Sequence, residues 1–254
     1  MNSFTQLESA DIRFVGDTHF RDIRAPGEAA RRERFLSFLE GLPAPSTLFL
    51  MGDIFDFYFE YQSVVSSRHL DILEGLRACS RRGVDLHFIG GNHDYWVGES
   101  FSRLVGTQVH EVEICFVAQG RRIVVSHGDL VMPRDYGYKL LKGVLRNRAV
   151  IALTRLIHPD LLDWIARGVS DGSRRYKRHS QEPRARAVTE WAHKQFFDRG
   201  NDAYVMGHVH YATHDVRDGR EFVIVGDWYE GSSYARLHNG QLSLVTTPTD
   251  SAQG

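Results

Sequence analysis

Short apolar runs alternate with stretches of helical periodicity along the N-terminal part of the chain. Ile12–Val15, Thr47–Met51 and Val84–Ile89 are short, mostly apolar runs of strand length. Between them, Glu28–Leu39 places Ala29, Phe35, Leu36 and Leu39 on one helical face, and Arg68–Arg82 does the same with Leu70, Leu73, Leu76 and Arg77. Strands that alternate with helices predict a mostly parallel, layered α/β sheet. From about residue 108 the rhythm becomes that of hairpins. Glu111–Val117 and Arg121–Ser126 flank Gln119-Gly120, Ala203–Met206 is a further strand, and short strands follow around Asp215, Phe222–Val225, Tyr234–Leu237 and Leu242–Val245. The turns Asp218-Gly219 and Asn239-Gly240 favour tight hairpins. Two sheets packed face to face, with helices outside, are expected.

Residues 134–186 interrupt this pattern. Their leading part is helical and apolar, with Leu140, Leu141, Val144, Leu145, Ile151, Leu153, Leu156, Leu161, Leu162, Trp164 and Ile165. The segment carries 13 Lys/Arg against 5 Asp/Glu, whereas the whole chain of 254 residues has a net charge of −1. It reads as a helical insertion in a single domain spanning 1–254. Cys79 and Cys115 form no CxxC pair, which fits a reducing compartment and argues against thiolate ligands. The sequence starting at Met1 has no basic start followed by an apolar run, and no stretch approaches the roughly 20 apolar residues of a membrane span. A cytoplasmic protein is expected.

Five short motifs sit just after expected strands: Gly16-Asp17-Thr18-His19, Gly52-Asp53-Ile54-Phe55-Asp56, Gly91-Asn92-His93-Asp94, His127-Gly128-Asp129 and Gly207-His208-Val209-His210. Ligand sites in α/β sheets assemble at the carboxyl ends of strands. Asp and Asn oxygens with His nitrogens make a mixed O/N donor set suited to first-row divalent ions, and the lack of thiolates argues against a structural zinc site. On extended backbone, positions i and i+2 share a face, so Asp17 and His19, and likewise His208 and His210, are expected to converge. A carboxylate such as Asp53 can bridge two metals. Any one motif alone is weak, because a lone Gly-Asp is more often a turn and a lone His-x-His a surface feature; five in series are not. Asp56, Asp94 and Asp129 are expected to cap turns or orient a histidine. His69, His87, His110, His158, His193, His214 and His238 have no motif around them and are expected to be structural or exposed.

The ordered series Asp-x-His, Gly-Asp, Gly-Asn-His-Asp, His-Gly-Asp and Gly-His-x-His resembles the calcineurin-like metallophosphoesterase family over about residues 11–230. That resemblance implies a four-layer αββα sandwich and two divalent metal ions, Mn²⁺ first, with Fe, Zn or Co as alternatives. One ion would take Asp17, His19, Asp53 and His210, and the other Asp53, Asn92, His127 and His208. His93 would contact the scissile phosphate or protonate the leaving group, beside Asp53 and Asn92 in the catalytic set. Gly16 stands where the family usually has Ser or Ala.

Within the family, a narrower likeness is to the diphosphatases that split UDP-2,3-diacylglucosamine into UMP and 2,3-diacylglucosamine 1-phosphate by attack on the α-phosphorus. It rests on Gly52-Asp53-Ile54-Phe55-Asp56, on Asp135-Tyr136-Gly137-Tyr138 after His127-Gly128-Asp129, on the basic helical insertion, and on Gly226-Asp227-Trp228. It implies that Asp135, His208 and the cations Arg174, Arg175, Lys177 and Arg178 touch a lipid-linked nucleotide diphosphate. Many members of that group have Arg where this chain has His93. Two readings of the insertion stay open: an acyl-chain slot with a diphosphate grip that also sits on an anionic membrane at its inner face, or a solvated charge run on a small helical subdomain. Three other functions compete: another phosphodiesterase, nucleotide diphosphatase or protein phosphatase on the same centre; a non-enzymatic binding module; and a nuclease, disfavoured by the absence of a basic groove with stacking aromatics. The sequence implies no nucleic acid and no protein partner.

Overall fold

A computed structural model describes residues 4–129, 131, 142–176, 181–197, 200–229 and 232–247. Strands β1 (Thr5–Gln6), β2 (Asp11–Val15), β3 (Ser46–Leu50), β4 (Val84–Ile89), β5 (Thr107–His110), β6 (Glu113–Ala118), β7 (Arg121–Ser126), β8 (Ala203–Met206), β9 (Thr213–Arg217), β10 (Arg220–Ile224), β11 (Ser232–His238) and β12 (Gln241–Thr247) form two six-stranded sheets. One sheet has the order β12-β11-β2-β3-β4-β5, in which β2, β3, β4 and β5 pair in parallel. The other has the order β1-β6-β7-β8-β10-β9. Helices α1 (Glu28–Glu40), α2 (Leu70–Arg82) and α3 (Glu99–Val105) accompany the first sheet, and α6 (Glu182–Trp191) accompanies the second.

Period-two alternation divides the core into three layers. Phe14 and Phe49 of the first sheet meet Phe116, Ile123, Val125 and Val205 of the second. The intervening residues of the same strands point outward: Val15, Leu48 and Leu50 toward α1 and α2, and Val124, Tyr204 and Met206 toward α6. The result is the expected αββα sandwich. The three hairpin turns also behave as their sequences demand. Gln119-Gly120, Asp218-Gly219 and Asn239-Gly240 all have positive φ at both central residues, the geometry of type I′ turns that suits the twist of paired strands.

Some details differ from expectation. Ala29 is exposed, and α1 instead buries Glu28, Arg31 and Arg32 beside Phe35 and Leu39. Those charges are paired: Glu28 binds both arginines, and Arg32 also binds Asp71. Leu70 is exposed, and α2 buries Ile72, Leu73, Leu76 and Cys79. The run Glu111–Val117 splits: β5 ends at His110, Val112 is exposed, and β6 starts at Glu113.

In the insertion, residues 142–145 are helical and are followed by α4 (Arg148–Thr154) and α5 (Pro159–Tyr176). Asn147 caps α4 by accepting from the Ala149 amide at 2.9 Å. The Tyr61 hydroxyl donates to the Ile157 carbonyl at 2.9 Å, Trp96 Nε1 donates to the Leu145 carbonyl at 3.3 Å, and Arg68 pairs with Asp163 at 2.7 Å. The segment is thus tied to the loops that follow β3 and β4. Asp135-Tyr136-Gly137-Tyr138, Leu140, Leu141, Lys177 and Arg178 lie outside the described residues, as do the side chains of Arg174 and Arg175.

Candidate metal centre

The five motifs leave the carboxyl ends of β2, β3, β4, β7 and β8, so their side chains gather at one edge of the sandwich. The backbone there is unusual. Asp17, His19, Asp53 and His208 all have φ between 44° and 65°, a left-handed conformation that costs non-glycine residues energy and recurs at functional sites. Asp17 and His19 therefore do not converge because they lie two apart on a strand. The strand ends at Val15, and left-handed turns aim both side chains inward.

Asp94 holds the second motif in place. It is fully buried. Its Oδ1 accepts from the amides of Asp53 (3.0 Å) and Gly91 (2.9 Å), and its Oδ2 from Ile54 (2.7 Å) and Phe55 (3.3 Å). Burial and the neighbouring Asp53 carboxylate outweigh these amides and push the Asp94 carboxyl up to about 6. Two glycines are required by close approach: a Cβ at Gly91 would overlap Asp53 Oδ1, and one at Gly207 would overlap Asp17 Oδ2.

The gathered atoms form two adjoining sets. In the first, His19 Nε2 lies 3.3 Å from His210 Nε2 and 3.6 Å from Asp53 Oδ2, while His210 Nε2 lies 3.4 Å from Asp17 Oδ1. In the second, His127 Nε2 lies 3.3 Å from Asn92 Oδ1, 3.5 Å from Asp53 Oδ2 and 3.2 Å from His208 Nδ1. Donor atoms that share one metal at bonds of about 2.1 Å stand about 3.0–3.6 Å apart, so both sets fit a divalent ion. Asp17 Oδ1 is buried without a hydrogen bond, a state that a bound cation relieves. Asp53 Oδ2 belongs to both sets.

Outer contacts orient the imidazoles. The Met51 carbonyl accepts a hydrogen bond from His127 Nδ1 at 2.9 Å, which leaves Nε2 for a ligand, and Asp227 Oδ2 lies 3.5 Å from His210 Nδ1. Such partners set tautomer and ring direction. Burial disfavours the imidazolium at both rings, but the carboxylates of Asp53 and Asp17 outweigh it for His127, and those of Asp17, Asp227 and Asp53 for His210. Both are raised above the usual histidine range.

His93 is not on extended backbone, since residues 92–94 form a bend. Its Nδ1 donates to the Asp56 carbonyl at 2.7 Å, and its Nε2 stands 4.0 Å from Asp53 Oδ2. With His19 and Asp53 it forms a third group of ligand-type atoms close together. Asp129 pairs with buried Lys142. His69 is buried against Phe55 and Tyr58, and His87 and His110 contact each other at 3.0 Å; His193, His214 and His238 make their contacts elsewhere on the fold.

Three nearby residues had no motif to mark them. Arg31 Nη2 donates to the His19 carbonyl at 2.9 Å and its guanidinium lies 4.4 Å from the Tyr229 ring centre. Tyr229 in turn stacks on His19 at 5.9 Å. Arg184 Nη2 lies 3.1 Å from His208 Nε2. A helical arginine far along the chain gives no sequence signal of such placement.

The chain is similar to several known proteins. The chain is 28% identical to the UDP-2,3-diacylglucosamine hydrolase of Porphyromonas gingivalis over 250 residues, covering 88% of this chain and 92% of that protein. It is 27% identical to the protein of the same name from Stenotrophomonas maltophilia, covering 92% and 97%. A solved archaeal phosphodiesterase overlies 93% of the chain and 99% of its own length at 11% identity and a TM-score of 0.45. The model of the calcineurin-like phosphoesterase family matches residues 10–212. The chain therefore belongs to the calcineurin-like phosphoesterase family and is a metal-dependent hydrolase.

Proposed function

We propose that the chain hydrolyses UDP-2,3-diacylglucosamine to UMP and 2,3-diacylglucosamine 1-phosphate, with attack at the α-phosphorus. The observation that carries this reading is the adjacency of two features. Two donor sets share Asp53 Oδ2. The Tyr58 amide donates to the His93 carbonyl at 3.1 Å, and Tyr58 also lines a cavity of about 230 Å³ between the loop after Asp56 and helix α5, with apolar Phe57, Phe59 and Leu162 and charged Arg68 and Asp163. The full-length likeness to enzymes of that name supports the same substrate.

Asp17, His19, Asp53 and His210 would hold one ion, and Asp53, Asn92, His127 and His208 the other, with Mn²⁺ the first candidate. Two ions so placed supply positive charge for the phosphoryl oxygens and lower the pKa of water. The protein residues do the rest. His93 commits Nδ1 to Asp56, so Nε2 is the atom that can pass a proton to the leaving phosphate. Asp94 fixes the loop that aims Asp53. The apolar side of the cavity, formed by Phe57, Phe59, Val64, Val65 and Leu162, would receive an acyl chain.

The insertion would also meet an anionic bilayer at the inner face of the cytoplasmic membrane. Leu156 is 82% exposed and Trp164 67%, and the exposed cations Arg148 and Arg155 lie in the same segment. No helix among the described residues is long and apolar enough to cross a membrane, so this would be surface contact.

The test is activity of Mn²⁺-loaded protein on UDP-2,3-diacylglucosamine beside bis-p-nitrophenyl phosphate, in water enriched in oxygen-18. The reading expects cleavage of both and label on UMP. Cleavage of the small diester alone would leave a different phosphodiester or nucleotide diphosphate as substrate. Label on the lipid phosphate would reverse the orientation of the substrate.

A further inference from the structure

We infer that Arg184 grips the substrate's phosphate at the His208 side of the centre; this rests on the phosphoester-hydrolase reading. Arg184 lies in the first turn of α6, at the C-terminal end of the insertion. Its neighbours Ala185 and Val188 are buried against the outer face of the second sheet, so the backbone under Arg184 is held firmly. Its own side chain is half-buried and reaches back to the centre, with Nη2 3.1 Å from His208 Nε2.

The chemistry of that contact points to a second position for the guanidinium. Arginine only donates. Its contact with Nε2 needs a lone pair there, and hence the proton on Nδ1. Yet Nδ1 is the atom His208 turns toward His127 Nε2, at 3.2 Å. When His208 Nδ1 serves as a ligand, the proton belongs on Nε2, and two donors then face each other. With the metal bound, Nη2 would turn from His208 to an oxygen acceptor. A phosphoryl oxygen seated at the centre is such an acceptor, and a guanidinium matches it with paired, charge-assisted hydrogen bonds. The unloaded contact thus parks the cation within one side-chain swing of the substrate.

Inorganic phosphate is a sufficient probe, so the test does not depend on the lipid substrate. Calorimetric titration of phosphate into Mn²⁺-loaded protein should show Arg184→Ala binding about 10- to 100-fold more weakly than wild type. Arg184→Lys should recover part of the loss, because it keeps the charge but not the planar fork. Mn content should be the same in all three. Arg186→Ala removes an exposed arginine that pairs with Glu182 on the same helix and should match wild type. On whichever phosphoester the wild type cleaves, the Ala variant should raise KM more than it lowers kcat. Phosphate affinity unchanged within threefold, or a parallel loss of Mn from the Ala and Lys variants, would overturn the proposal and make Arg184 a support for His208. If wild type binds phosphate in this Arg184-dependent way but leaves UDP-2,3-diacylglucosamine intact, the substrate reading fails and the role of Arg184 stands.

Discussion

Replacing Asp94 with Asn changes one atom type at the hinge of the site and leaves its shape intact. Asp94 receives four backbone amides, two on each carboxylate oxygen. An asparagine amide has one acceptor oxygen, and its NH₂ would point two hydrogens at two of those amides. Two buried N–H groups are then left unsatisfied, at about 1–3 kcal/mol each. Relief of the Asp53–Asp94 repulsion returns part of this, since that repulsion and burial hold Asp94 up at about 6. The net expectation is a loss of about 1–4 kcal/mol, measured by urea unfolding of metal-free protein at pH 7. The larger consequence is local. The amides released belong to Gly91, Asp53 and the residues just after it, so the variant should also bind less Mn²⁺ by elemental analysis. An Asp94→Asn protein with wild-type urea midpoint and full Mn content would refute the claim that these four hydrogen bonds set the position of Asp53.

Three further outcomes follow from the structure. His93→Ala should keep its metal and lose about 10²–10⁴ in turnover, the range for a general acid or charge stabiliser; metal loss equal to that of His127→Ala would instead make His93 a ligand. Gly207→Ala puts a Cβ into Asp17 Oδ2, so inactive protein depleted of Mn is expected, and an active, fully loaded variant would show that the approach is not tight. Burial holds the His69 imidazolium down to about 3. Since its unfolded value is about 6.5, the fold keeps its full stability above pH 6.5 and loses it as pH falls toward 3. The loss is at most about 1.4 kcal/mol per pH unit. His69→Gln should lose about 2 kcal/mol less than wild type between pH 7 and pH 5 in urea unfolding; equal losses would show that His69 is solvated.

What the sequence made legible divides along physical lines. Short apolar runs and the Gly-containing turns follow from local chemistry, so β2, β4, β7, β8 and the three hairpins stand within a residue or two of expectation. The short α3 and β1 carried too few apolar positions to register. α1 was placed correctly but its buried face was misjudged, because Arg31 and Arg32 are neutralised by Glu28 and Asp71 across a gap that periodicity cannot see. The site was legible because five motifs each carry their own donor, but the reason for their convergence was not. Asp17 and His19 meet through left-handed backbone, which only long-range contacts impose. Arg184 went unremarked for a related reason. Its relation to His208 spans 24 positions and depends on how α6 packs. The cations singled out instead, Arg174, Arg175, Lys177 and Arg178, formed a visible cluster, and their part in substrate binding stays a proposal.

Asp53 is proposed to join two metal sites in a single catalytic centre. The most direct measurement is Mn²⁺ stoichiometry by elemental analysis, made alongside activity on bis-p-nitrophenyl phosphate, for wild type, Asp53→Ala and His210→Ala. Wild type should hold about two ions per chain. Asp53→Ala should fall toward none and His210→Ala toward one, both with activity lost. One ion per wild-type chain at full activity, or two ions retained in Asp53→Ala, would contradict that role of Asp53.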